Sequence, residues 1–168
     1  VIPATVGMME SLNTLIIHTC NDLQMTDSIN KIKTLKNISI SRCYLSNNVI
    51  DTLFQNEHIE TLEIFECGLK EVPISIKKMK NLKKLTIVGN VLSDIPKQIG
   101  ECENLEDIDF SNNNIDYLPN EIGKLKNLKV MWIENNNFTE LNLPFEKLIN
   151  LEDFRASGNQ IESVPDDI

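Results

Sequence analysis

Asp107 and Asp109 stand two residues apart, and on an extended segment that spacing puts both carboxylates on one face, as an acid/base pair of a glycosidase or protease would require. The only two histidines are His18 and His58. His58 sits just before an apolar anchor, Ile59, on a different edge of its unit from His18, so the two do not form a catalytic pair. Four cysteines, Cys20, Cys43, Cys67 and Cys102, contain no CxxC spacing, which argues against both a metal site and a disulfide framework. There is no glycine-rich phosphate loop, nucleophile elbow or HExxH. Catalysis therefore has only the two aspartates to rest on, and the elements that carry them decide what they are.

Those elements are copies of one unit. Aligned on an apolar anchor, the copies start at Leu12, Leu35, Ile59, Leu82, Leu105, Leu128 and Leu151, with steps of 23, 24, 23, 23, 23 and 23 residues. Leu82, Leu85, Ile87, Asn90 and Leu92 match Leu105, Ile108, Phe110, Asn113 and Ile115, and again Leu128, Met131, Ile133, Asn136 and Phe138. The second half of a unit reads Ile95-Pro96 to Ile99-Gly100, or Leu118-Pro119 to Ile122-Gly123 and Leu125, with Val72-Pro73 and Ile76 as an earlier copy. A fixed period of this length means a solenoid. Ile2-Pro3 with Val6-Gly7, and Val164-Pro165 with Ile168, read as partial units at the two ends. With no polar cap at either end, the expectation is a piece of a longer protein.

In the segment LxxLxL, alternate apolar side chains point inward from a short strand, and stacked coils place such strands roughly 4.8 Å apart in a parallel sheet. Position nine must serve peptide groups where the chain leaves that sheet. Asn90, Asn113, Asn136 and Asn159 occupy it, and an amide can both donate and accept there. Cys20, Cys43 and Cys67 fall on the same position, which gives them a structural task as compact, weak donors, at some loss of bonding. Cys102 reads as a packing residue of the outer wall.

The units resemble the leucine-rich repeat family, in particular its 23-residue subclass with LPxxIGxLxNL between strands. The resemblance covers essentially residues 1–168 and is carried by Ile95-Pro96 through Ile99-Gly100 to Asn104-Leu105, and Leu118-Pro119 through Ile122-Gly123-Lys124-Leu125 to Asn127-Leu128. It is similar to repeats of Ras-binding scaffold proteins, of some adenylyl cyclases and of certain bacterial surface proteins. It implies an α/β class chain: a right-handed horseshoe with a concave parallel sheet and short helices or turns on the convex side. Two units depart from the pattern. The unit from Leu35 has one extra residue and no proline, predicting a bulge or a more regular helix. The unit from Leu128 has Asn142 where proline belongs and Pro144 two places later, predicting local irregularity.

Composition limits the partners. A formal charge of −9 with no basic cluster repels nucleic acid and anionic lipid, and no apolar stretch is long enough for a membrane span. Four unpatterned cysteines fit a reducing, cytoplasmic setting. The sequons Asn37-Ile38-Ser39 and Asn137-Phe138-Thr139 are what an asparagine-rich chain holds by chance.

Residues between the buried ones form columns on the inner face. One runs Thr14, Asn37, Thr61, Lys84, Asp107, Val130, Asp153; the next runs Ile16, Ser39, Glu63, Thr86, Asp109, Trp132, Arg155; the third runs His18, Ser41, Phe65, Val88, Ser111, Glu134, Ser157. Asp107 and Asp109 thus read as column charges, and the chain as a non-enzyme without cofactor or metal. Phe65 with Val88, and Val130 with Trp132, place apolar groups where solvent favours polar ones, which marks a binding face. The alternative is bland packing, with Arg155 stacked on Trp132 and Phe65 flat on its sheet. Glu63, Asp107, Asp109 and Glu134, on the face that also carries Arg155, give it a negative character that favours a partner with basic residues, the alternative being a merely solvated acidic face. The expectation is an intracellular scaffold or signalling domain that binds another protein, a small GTPase by family resemblance. A secreted or cell-surface recognition domain and a regulatory arm of an enzyme outside these residues are the alternatives.

Overall fold

The computed structural model describes residues 2 and 4–163. The partial unit read at Val164, Pro165 and Ile168 lies outside them, as does Pro3. Seven parallel strands form one sheet in sequence order: β1 (Thr14–Leu23), β2 (Asn37–Leu45), β3 (Thr61–Phe65), β4 (Lys84–Val88), β5 (Asp107–Asp109), β6 (Val130–Trp132) and β7 (Asp153–Arg155). Their register runs Thr14, Asn37, Thr61, Lys84, Asp107, Val130, Asp153, and from Ile16 through Glu63 and Trp132 to Arg155. The step between neighbours is the repeat period, so the extra residue of the second unit is absorbed outside the sheet.

It is absorbed by a helix. Between the strands the chain returns through short 3-10 turns such as Ile74–Lys78, Lys97–Glu101 and Asn120–Lys124, but the second unit has α1 (Asn47–Phe54) instead. Pro73, Pro96 and Pro119 stand before the regular turns with φ of −70°, −70° and −67°, the value their rings impose. Ser46 opens α1 in the same extended conformation without a proline, so the longer helix goes with the extra residue and with the burial of Val49, Leu53 and Phe54 on it. In the unit from Leu128 the turn shrinks to Phe145–Lys147 behind the displaced Pro144. Glycine has a packing task on this wall. A Cβ on Gly100 would stand 2.5 Å from the Glu121 carbonyl oxygen of the next coil, so only glycine permits that approach.

The core is one aliphatic column. Leu35, Ile59, Leu82, Leu105 and Leu128 are fully buried, while Leu12 and Leu151, at the first and last described strands, are only partly covered. That follows from stacking: each coil is sealed by its two neighbours.

Position nine works as an asparagine ladder. Asn113 donates to the carbonyls of Ile87 (2.7 Å) and Phe110 (2.9 Å) and accepts the Leu92 N–H (3.1 Å) of the previous coil. Asn90, Asn136 and Asn159 accept the N–H of Leu69, Ile115 and Phe138 in the same way. The Cys43 and Cys67 thiols donate to Ser41 (3.2 Å) and Phe65 (3.3 Å) but offer no such acceptor. Between the first two coils the backbones go on pairing past this position: Cys20 registers with Cys43 and Leu23 with Leu45, so β1 and β2 run to ten and nine residues, whereas β2 and β3, whose coils also carry ladder cysteines, pair only as far as Ser41 and Phe65.

Just before position nine, every coil passes through the left-handed region. Thr19, Arg42, Glu66, Gly89, Asn112, Asn135 and Gly158 all have φ between 51° and 72°. Glycine and asparagine adopt this readily, whereas a β-branched residue such as Thr19 is strained by roughly 1–3 kcal/mol. Just after each anchor, Lys36, Glu60, Lys83, Glu106, Lys129 and Glu152 alternate in sign down one edge of the sheet. Glu60 binds both Lys36 (3.3 Å) and Lys83 (2.7 Å), and Glu106 binds Lys129 (2.6 Å).

Candidate functional site

The pleat dictates what the inner face shows. Strand residues alternate between the core and this surface, so the sheet presents three side-chain columns, in which Thr86 and Ser111 are nonetheless buried. Phe65 and Val88 are registered neighbours on β3 and β4, both half-buried. Val130 and Trp132 lie together on β6, also half-buried. The two clusters are separated by β5, with Trp132 three strands from Phe65, roughly 14 Å at the ordinary strand spacing. Ile16, placed in the same column by its spacing but not singled out as a candidate, is 58% exposed on β1, five strands from Trp132.

The charges on this face are not equivalent. Glu63 is neutralised by Lys84 at 2.9 Å, so it contributes little negative potential. Asp109 accepts the Ser111 N–H at 2.9 Å, and among the described residues Asp107, Asp109 and Glu134 make no ion pair. These three therefore carry the negative character, and they surround Trp132: Asp109 is its registered partner, Asp107 that of Val130, and Glu134 follows two residues on.

Arg155 stacks on Trp132 with its guanidinium carbon 4.3 Å from the ring centroid. Asp153 grips the same guanidinium with two bonds of 3.0 and 2.9 Å. That bond holds the Asp153 carboxyl below its usual range and raises Arg155. The Trp132 indole N–H is shielded from solvent and, although it leans towards Asp153, reaches hydrogen-bonding geometry with nothing. The cation-π contact weighed as bland packing is thus present, inside a ring of unpaired acids.

Other sequence candidates disperse. His18 hydrogen-bonds Ser41 in the neighbouring strand, while His58 sits before Ile59 with its backbone N–H on Asn56. All four cysteines are free, and no three metal-ligating side chains converge among the described residues. Burial raises Cys102 to about 12, which keeps it a thiol that donates to the Ile76 carbonyl. No helix of the described chain is long and apolar enough to cross a membrane.

Each unit that departs from the pattern opens a cleft on the outer side. Beside α1, Tyr44, Ile50, Lys70 and Pro73 line one of about 820 Å³, and Tyr117, Phe138 and Asn142 line one of about 370 Å³ at the displaced proline. Tyr117 is exposed, and the Asp94 carboxylate beside its hydroxyl raises it above the ordinary phenol value. The signal for both was the missing proline, read as irregularity and not as a concavity.

Comparison with known proteins agrees with this architecture. The family described as leucine rich repeat matches residues 80–138. No curated protein matches the chain in sequence. Among solved structures, a leucine-rich-repeat protein of Leptospira interrogans is similar over 98% of this chain and 42% of its own, with a TM-score of 0.87 and 23% identity. The leucine-rich-repeat ectodomain of an Arabidopsis thaliana receptor kinase is similar over 94% of this chain and 70% of its own, with a TM-score of 0.53 and 22% identity. The chain thus spans less than half of the Leptospira protein, and likenesses at these identities establish the fold.

Proposed function

Because residues 80–138 are leucine-rich repeats and the described chain as a whole has their solenoid fold, we propose that it is a recognition domain that binds a protein through the inner face of its sheet. The observation that carries this reading is the half-exposed Trp132 on β6, with Val130 beside it and Phe65 and Val88 across the sheet, in columns that are otherwise polar apart from Ile16 on β1. Aromatic side chains on a rigid, flat scaffold contribute large contact area at little entropic cost, which is why they anchor interfaces.

The partner is a protein with a basic surface. Asp107, Asp109 and Glu134 support this, since their charge is not balanced within the chain, which is acidic overall. The family resemblance adds a small GTPase as the partner class and an intracellular scaffold or signalling role. A cytoplasmic location draws support from four free cysteines, three of them on one ladder. The columns speak for recognition over catalysis, because Asp107 and Asp109 belong to two stacked rows and converge on no cavity.

The test uses the chain as bait, identifies the captured partner and then compares variants by calorimetry. Trp132→Ala should weaken binding by about thirty-fold and Phe65→Ala by about five- to ten-fold, with an unchanged circular dichroism spectrum. Unchanged affinity in both variants, with the fold intact, would place the contact elsewhere.

A further inference from the structure

We propose that the Trp132 indole is a seat for an arginine or lysine side chain of the partner, and that Arg155 is a resident cation which the incoming group displaces. This rests on the inner face being the binding face and fixes the chemistry of one point on it.

Three observations lead there. First, the ring already holds a cation: Arg155 lies over it at 4.3 Å, which shows that the exposed indole surface is oriented for such a group. Second, the surrounding charge exceeds what Arg155 balances. Its own partner is Asp153, on the same strand, while Asp107, Asp109 and Glu134 flank the ring without an ion pair of their own among the described residues. Other acids of the sheet and its edge are matched, Glu63 by Lys84, Glu60 by Lys36 and Lys83, and Glu106 by Lys129, while Glu152 on the edge and Asp22 at the end of β1 stand without an ion pair among the described residues but away from any tryptophan. The acids without an ion pair therefore cluster around Trp132, and a second cation is best placed there.

Third, Arg155 is held by Asp153 and not by the ring: its two hydrogen bonds go to that carboxylate, its side chain is half-exposed, and only the cation-π contact ties it to Trp132. Swinging off the ring leaves its bonds to Asp153 available, because that carboxylate is only two residues away along β7. A partner's guanidinium or ammonium would take the ring and the three unpaired acids, while Arg155 keeps Asp153. Arg155 is then a competitor of the partner and not one of its contacts, which fixes the sign of its substitution.

Trp132 is the only tryptophan, so its emission reports on this point alone. The probe is a short peptide of alternating arginine and glycine, with a matched peptide in which uncharged citrulline replaces arginine. The arginine peptide should shift Trp132 emission saturably and the citrulline peptide should not. Arg155→Ala should tighten arginine-peptide binding about three- to ten-fold, and Asp109→Asn with Glu134→Gln should weaken it about ten-fold. Glu57→Gln with Glu103→Gln, which removes two exposed carboxylates off this face, should change it by less than about two-fold. Weaker or unchanged binding by Arg155→Ala overturns the proposal. Equal losses in the two carboxylate pairs overturn it too, since they mean general attraction to an acidic protein. If the captured partner is lost by Trp132→Ala yet unaffected by Arg155→Ala, the binding face stands and the cation seat falls.

Discussion

Asn113 shows how much one side chain does in this fold. Its amide serves carbonyls of its own coil and the one before, and accepts an N–H of that earlier coil, all out of reach of water. Removing it strands several buried backbone groups at once, and each unsatisfied group is costly. Asn113→Ala should destabilise by about 2–3 kcal/mol, read as a lower urea midpoint at unchanged slope. Asn113→Cys should cost roughly half as much, since the thiols of Cys43 and Cys67 still donate to strand carbonyls at this place. Equal costs would mean that the thiol hydrogen bonds count for nothing. The periodic residues were legible because the asparagine recurs at one spacing. The left-handed residue just before it was not, because Thr19, Arg42 and Glu66 are poor formers of that conformation and conceal a position that only Gly89, Asn112, Asn135 and Gly158 betray. On the inner face the columns were legible from the period alone, but Glu63 looked like a free charge until Lys84 was found beside it. Pairing across strands depends on rotamers that spacing does not encode.

At the scale of the element, the edge column Lys36, Glu60, Lys83, Glu106, Lys129, Glu152 makes strand register electrostatic as well as apolar. A slip by one coil would set like charges side by side. Lys83→Glu would create a run of three carboxylates and should lower the melting temperature by a few degrees at low salt. The difference from the unaltered chain should vanish near 1 M salt, where screening acts within about 3 Å; a salt-independent loss would instead indicate damage to packing. The bonds from Lys83 and then Lys36 lower the Glu60 carboxyl, so this stabilisation is complete above the ordinary carboxylate range and is lost as pH falls through it. On the alkaline side, Cys102 keeps its proton to about 12 while the unfolded thiol gives it up from its ordinary value of 9.0. Stability therefore declines as pH rises across that window. Acid and alkaline melting curves check both signs. The helix α1 was anticipated as one of two outcomes of an extra residue, and it is the one that winds that residue into hydrogen-bonded turns and buries Val49, Leu53 and Phe54.

The whole molecule is a stack whose strands shorten from ten and nine residues in β1 and β2 to five in β3 and β4 and three in β5 to β7. The sequence announces the stack, through seven anchors, but hides the taper, which does not follow the ladder residue: the strands in the coils of Cys67 and Asn90 both have five residues. That taper has a mechanical meaning. In a solenoid each coil is held by its neighbours, and a load applied along the stack meets the interfaces one at a time. Stretched between its two ends in an optical trap, the chain should yield first at the three-residue strands of β5 to β7, unspooling about 23 residues per step, and hold longest where β1 grips β2. One all-or-none rupture would show the stack to be uniform. Graded yielding would make the cysteine end a clamp and the asparagine end, where Trp132 sits, the part that gives way under tension.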